Sequence, residues 1–186
     1  LCILLLLLTG CSSKTSMIEI QKHVYVEKEF KDSWLETNEF GDSYIKEELQ
    51  GGYHYHFDQQ FLEIFFNTGG KIELYNYSIK KNDLIISGEM IPPKTIRLVH
   101  PHLDNVTSEG VIIHELGHYF DEKHQFSSSK QFTELYKKYR TLFNQKTKKE
   151  YFAECFKEYV GGHQEKVKPF HSYMKTITQK IRQKNK

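Results

Sequence analysis

Alternation and helical spacing of apolar positions divide this chain into a strand-rich first half and a helical second half. Residues 1–8 (LCILLLLL) form one unbroken apolar run, far short of the ~20 residues needed to span a bilayer. The chain then turns polar through residue 35, with room for a short strand between residues 18 and 26. Short helices are predicted over residues 42–49, ended by Gly51-Gly52, and 58–66, which Asp58 can cap and Asn67-Thr68-Gly69-Gly70 stops. Strand-like stretches follow at 71–77, 84–90 and 95–100. The first two flank a turn-rich segment at residues 80–83 and are predicted to pair as a hairpin, and Pro92-Pro93 breaks the chain before the third. A loop over 101–110 leads into Val111-Ile112-Ile113. Helices are then predicted over 111–122, 129–143, 148–160 and 169–184, with Pro169 in a first turn, where its missing N–H costs nothing. Strands first and helices after define an α+β domain with a small, mostly antiparallel sheet.

Composition narrows the class. A length of 186 residues fits one ordinary domain. Twelve Tyr and thirteen Phe are too many apolar rings for a disordered chain. The formal charge is 26 − 24 = +2, which gives no electrostatic case for nucleic acid. Three cysteines cannot make a disulfide scaffold. The apolar run matches the core of a signal peptide, and Leu8-Thr9-Gly10-Cys11 follows at once. That order resembles the lipobox of bacterial lipoproteins. The resemblance implies a signal peptide over residues 1–10, an acyl lipid on Cys11, and residence on the extracytoplasmic face of a bacterial membrane. Residues 11–35 are then anchor and tether, and 36–186 the functional domain. Cys155 is left as a lone thiol, and its neighbours Phe152, Phe156 and Tyr159 mark it as a small buried hydrophobe.

The chemistry gathers at His114-Glu115-Leu116-Gly117-His118, an H-E-x-x-H motif. On a helix, residues four apart share a face, so both imidazoles can reach one metal ion. Glu115 lies beside that ion and can take a proton from its bound water. Asp121, one turn after His118, is placed to hold a ligand imidazole from behind. A catalytic zinc needs three protein ligands and one open position. Glu150, Glu154 and Glu158 share one face of the predicted 148–160 helix, and spacing leaves the third ligand open between Glu150 and Glu154. Thr147-x-x-Glu150 also fits a helix capping box. His54/His56 and His100/His102 form His-x-His pairs, but neither has a third ligand at a recognisable spacing.

The sequence His114-Glu-Leu-Gly-His-Tyr-Phe-Asp121, followed by Glu150-Tyr-Phe-Ala-Glu-Cys-Phe156, resembles the zincin-type metalloprotease domain of anthrax lethal factor and the secreted Pro-Pro endopeptidases. The likeness extends over roughly residues 40–182, including the helix into Gly70-Lys71-Ile72 and the final Pro169-Phe170-x-x-Tyr173 helix. It implies His114, His118 and Glu150 as ligands of one zinc per chain. It implies Glu115 as the general base and Glu154 as a brace behind the ligands. The family carries a Tyr seven residues before the ligand Glu as a donor to the reacting oxyanion. Here that position is Phe143, and Tyr139, one turn earlier, is the candidate substitute. The resemblance implies a monomeric zinc metalloendopeptidase, a hydrolase cutting extracellular or cell-surface polypeptides. The alternative is a lipoprotein that keeps the protease fold and the metal but only binds its partner.

Overall fold

The structure is a computed structural model that describes residues 16–37, 43–52, 54–77, 79–81, 84–100, 110–145 and 147–184. Cys11, His102 and the loop 101–109 lie outside the described residues. Strands β1 (Met17–Gln21) and β2 (Val24–Glu27) form a hairpin turned at His23, which takes a φ of 67°. The His23 N–H is held there by the Glu19 carboxylate at 2.7 Å. After the short helices α1 (Lys31–Leu35), α2 (Tyr44–Gln50) and α3 (Gln60–Asn67) comes strand β3 (Lys71–Tyr75). Strands β4 (Ile79–Lys81), β5 (Leu84–Ile86), β6 (Gly88–Ile91) and β7 (Thr95–Val99) follow. Five strands form one sheet in the order β1-β2-β3-β7-β6, and β4 and β5 pair separately. The β2–β3 and β3–β7 pairs are parallel, and the other three pairings are antiparallel.

Register explains the burial. Val24, Ile72 and Ile96 lie opposite one another, and Val26, Leu74 and Leu98 do so two residues on. All six are at most 1% exposed, the core rows of a period-2 pattern. The alternate row carries Tyr25, Glu73, Arg97 and Glu89 to the other face, where Arg97 pairs with Glu73 at 3.2 Å and Glu89 at 3.4 Å.

Helix α4 (Val111–His124) crosses β6 and β7 and buries Ile112, Ile113, Leu116 and Phe120. Helices α5 (Lys130–Tyr139), α6 (Lys148–Val160) and α7 (His171–Gln183) complete the α+β domain. Phe61 of α3 meets Phe120 of α4 and Phe156 of α6, with ring centroids 5.9 and 5.3 Å apart. Phe132, Phe152 and Phe170 continue the aromatic core toward α7.

Three sequence expectations change. Residues 17–35 are part of the domain rather than a tether, because Val24 and Val26 complete the core rows and Trp34 is fully buried. Strands 71–77 and 84–90 do not pair with each other. The second breaks at Ser87 into β5, which turns back on β4, and β6, which joins β7. Gly88 permits that approach: a Cβ there would lie 2.6 Å from Val111 Cγ1 and 2.9 Å from the Arg97 carbonyl oxygen. Pro169 sits in a 3-10 turn (Gln164–Phe170) ahead of α7 rather than in its first turn.

Candidate metal centre

Helices α4 and α6 run antiparallel, with His114 opposite Glu154, Gly117 opposite Ala153 and His118 opposite Glu150. A Cβ on Gly117 would stand 2.9 Å from the Ala153 Cα, closer than packed atoms come, so only glycine lets the helices meet this tightly. That closeness brings a short glutamate within reach of two imidazoles.

His114 Nε2 and His118 Nε2 lie 3.1 Å apart, and each is 3.3 Å from Glu150 Oε2. Zinc–nitrogen and zinc–oxygen bonds of ~2.0–2.1 Å at tetrahedral angles put neighbouring ligand atoms about 3.3–3.4 Å apart. The two-nitrogen, one-oxygen triangle therefore fits a zinc ion, and it is the group of metal-ligating side chains that converges among the described residues. Burial pulls His114 down, but the carboxylates of Glu150 and Glu154 overrule it and raise its pKa to about 9. The two imidazoles in turn hold Glu150 well below the usual carboxylate range.

Glu115 is buried, and burial pushes its carboxyl up against the opposing pull of His114, His118 and a hydrogen bond from the Met90 backbone. Glu154 Oε2 lies 3.2 Å from His114 Nδ1, on the ring edge away from the Nε2 that faces Glu150 and His118. Its other oxygen takes Lys157 Nζ at 2.7 Å. Thr147 accepts the Glu150 N–H at 3.2 Å and caps α6, but the Glu150 carboxylate turns to the histidines instead of back to the cap.

Two expected residues are placed otherwise. The Asp121 carboxylate accepts from the Ser127 N–H and hydroxyl, both at 2.6 Å, and so fastens the end of α4 to the next turn rather than holding an imidazole. Tyr139 packs on Phe170, and its carbonyl accepts the Tyr151 hydroxyl at 2.6 Å. Phe143 meets the same Tyr151 edge to face. Tyr151 follows Glu150 by one residue, about 100° round the helix, and faces the core. Tyr139 and Phe143 therefore lie away from the ligands, and among the described residues no tyrosine lines the cleft. His100 meets Trp34 edge to face and bonds the Ser33 carbonyl, a structural role.

The centre opens into a cleft on both sides. One arm of about 440 Å³ is bordered by Met90, Pro92, His118 and Lys149. The other, about 380 Å³, is bordered by Ile85, Gly110, Val111 and Lys157. Glu115, Glu150 and Gly88 border both. Sequence reasoning missed Lys157 and the Gly117–Ala153 contact, although the small residue inside the motif and Ala153 between the two glutamates were signals for the latter.

No protein-family profile and no curated protein matches the chain. Among solved structures it is similar to a Pro-Pro endopeptidase from Paenibacillus alvei, with a TM-score of 0.51 and 15% identity over 64% of this chain and 84% of that one. At that identity the likeness concerns the fold.

Proposed function

We propose that this chain is a zinc-dependent endopeptidase, and the observation that carries it is the 3.1–3.3 Å triangle of His114, His118 and Glu150 beside buried Glu115. Zinc bound there would supply Lewis acidity toward a carbonyl and a water acidic enough to attack at neutral pH. Glu115 accepts the proton of the attacking water and returns it to the leaving amine, a task that suits a carboxyl raised by burial. Strand β6 is an edge of the sheet and borders the cleft, so an extended polypeptide can lie along it. We also propose, from Leu8-Thr9-Gly10-Cys11, that a lipid of two or more acyl chains on Cys11 holds the enzyme on the outer face of a membrane, where its substrates are extracellular or surface proteins. Among the described residues no tyrosine borders the cleft, and this favours a second reading, a binding lipoprotein that keeps the metal with little turnover.

Metal analysis and a peptide library separate these. The expected result is about one zinc per chain, from a single three-ligand site, and chelator-sensitive cleavage that Glu115→Gln abolishes while zinc stays bound. Zinc without cleavage in the wild type supports the binding reading. A chain that takes up no zinc sinks both.

A further inference from the structure

We propose that Lys157 is a positioning residue of this centre: by gripping Glu154 it holds that carboxylate on His114 and so sets how tightly zinc is bound. The proposal rests on the metal reading above. Glu154 divides its two oxygens, Oε2 to His114 Nδ1 at 3.2 Å and Oε1 to Lys157 Nζ at 2.7 Å. The two side chains are only 14% and 16% exposed, so water cannot readily replace either partner. A carboxylate with one oxygen pinned has little freedom to swing away from the imidazole.

Lys157 is itself fixed. Its stem lies over Gly110, where a Cβ would come within 2.8 Å of the Lys157 Cδ. Its ammonium stands 5.8 Å from the centre of the Tyr55 ring. The Tyr55 hydroxyl donates to Glu158 Oε1 at 3.0 Å, and that same oxygen lies 3.8 Å from Lys157 Nζ. Glu158 is buried and is also paired with His163 at 3.0 Å and Lys166 at 3.1 Å. A polar chain thus runs from Tyr55 through Glu158, Lys157 and Glu154 to His114.

The sign of the effect separates positioning from bare charge. A cation near a metal ion repels it, so charge alone predicts that removing Lys157 tightens zinc binding. Positioning predicts the opposite, because losing a partner behind a metal ligand typically costs ~10–100-fold in affinity. We take positioning to win: the ammonium touches Glu154 directly, whereas the ligand nitrogen is on the far edge of the His114 ring.

The test is zinc affinity of the full chain, read by competition with a chromophoric chelator. Lys157→Met, which keeps the stem, is expected to weaken zinc binding roughly 10-fold or more, and Lys157→Arg to restore most of it. In a Glu154→Gln background Lys157→Met is expected to add no further loss, since the two residues act as a unit. Unchanged or tighter binding by Lys157→Met overturns the proposal, and so does an equal loss in the Glu154→Gln background. Lys157→Gln carries the same comparisons if the Met variant does not fold. A wild-type chain that binds no zinc fails the metal reading itself, an outcome distinct from the other two.

Discussion

Glu150 meets two demands with two different groups. Its backbone N–H completes the cap at Thr147, while its carboxylate faces the imidazoles. Spacing could not rank Glu150 against Glu154, because residues four apart share one helix face. The ring edges of His114 rank them: Glu154 occupies the Nδ1 edge and Glu150 the Nε2 edge that His118 also faces. Glu150→Ala is therefore expected to shed zinc under a mild chelator. Glu154→Ala should keep the site with affinity lowered ~10–100-fold. Thr147→Ala should cost ~1 kcal/mol of stability with zinc retained. Dialysis followed by elemental analysis ranks the three variants, and a Glu154→Ala chain that empties first would reverse the assignment. Asp121 was not legible in the same way. Its partner Ser127 lies past the end of α4, and only the fold shows that the chain turns back there.

At the scale of elements, the centre depends on how closely two helices approach. Gly117→Ala places a methyl against the Ala153 backbone, which cannot rotate out of the way. Overpacking of this kind costs typically 1–3 kcal/mol, and here it also drives Glu150 away from the histidines. The expected outcome is a lower melting temperature together with weaker zinc binding. A variant that melts earlier but binds zinc as the wild type does would detach helix spacing from the metal site. Element boundaries were legible where local chemistry marks them. Helix α6 runs over Lys148–Val160 as its Thr147 cap and Gly161 imply. The pairing of β3 was not legible, since alternation records which face a residue takes and not which strand lies beside it. The break at Ser87 was equally hidden, because residues 84–90 read as one strand until Gly88 is seen under Val111.

The whole molecule sets an edge strand and two helices around a cleft. H-E-x-x-H and the second glutamate pair carry a local spacing that survives without a fold. Tyr139 failed as a cleft residue because helical spacing places a side chain along α5 but not relative to α6. The proposed lipid attachment is tested by Cys11→Ser, which is expected to move the protein from the membrane fraction to the soluble one. Two acyl chains hold a protein stably, whereas basic residues bind a bilayer reversibly. Sedimentation of the mutant with membranes in high salt would count against the lipid.

The strands at the start of the domain bear on the proposed lipid anchor. Because β1 begins at Met17, a lipid on Cys11 leaves 17 − 11 = 6 residue steps before the chain is fixed in the sheet. At roughly 3.3–3.6 Å per step, that leash reaches about 20 Å at full stretch. With the proposed lipid on Cys11, Met17 would stay within about that distance of the bilayer.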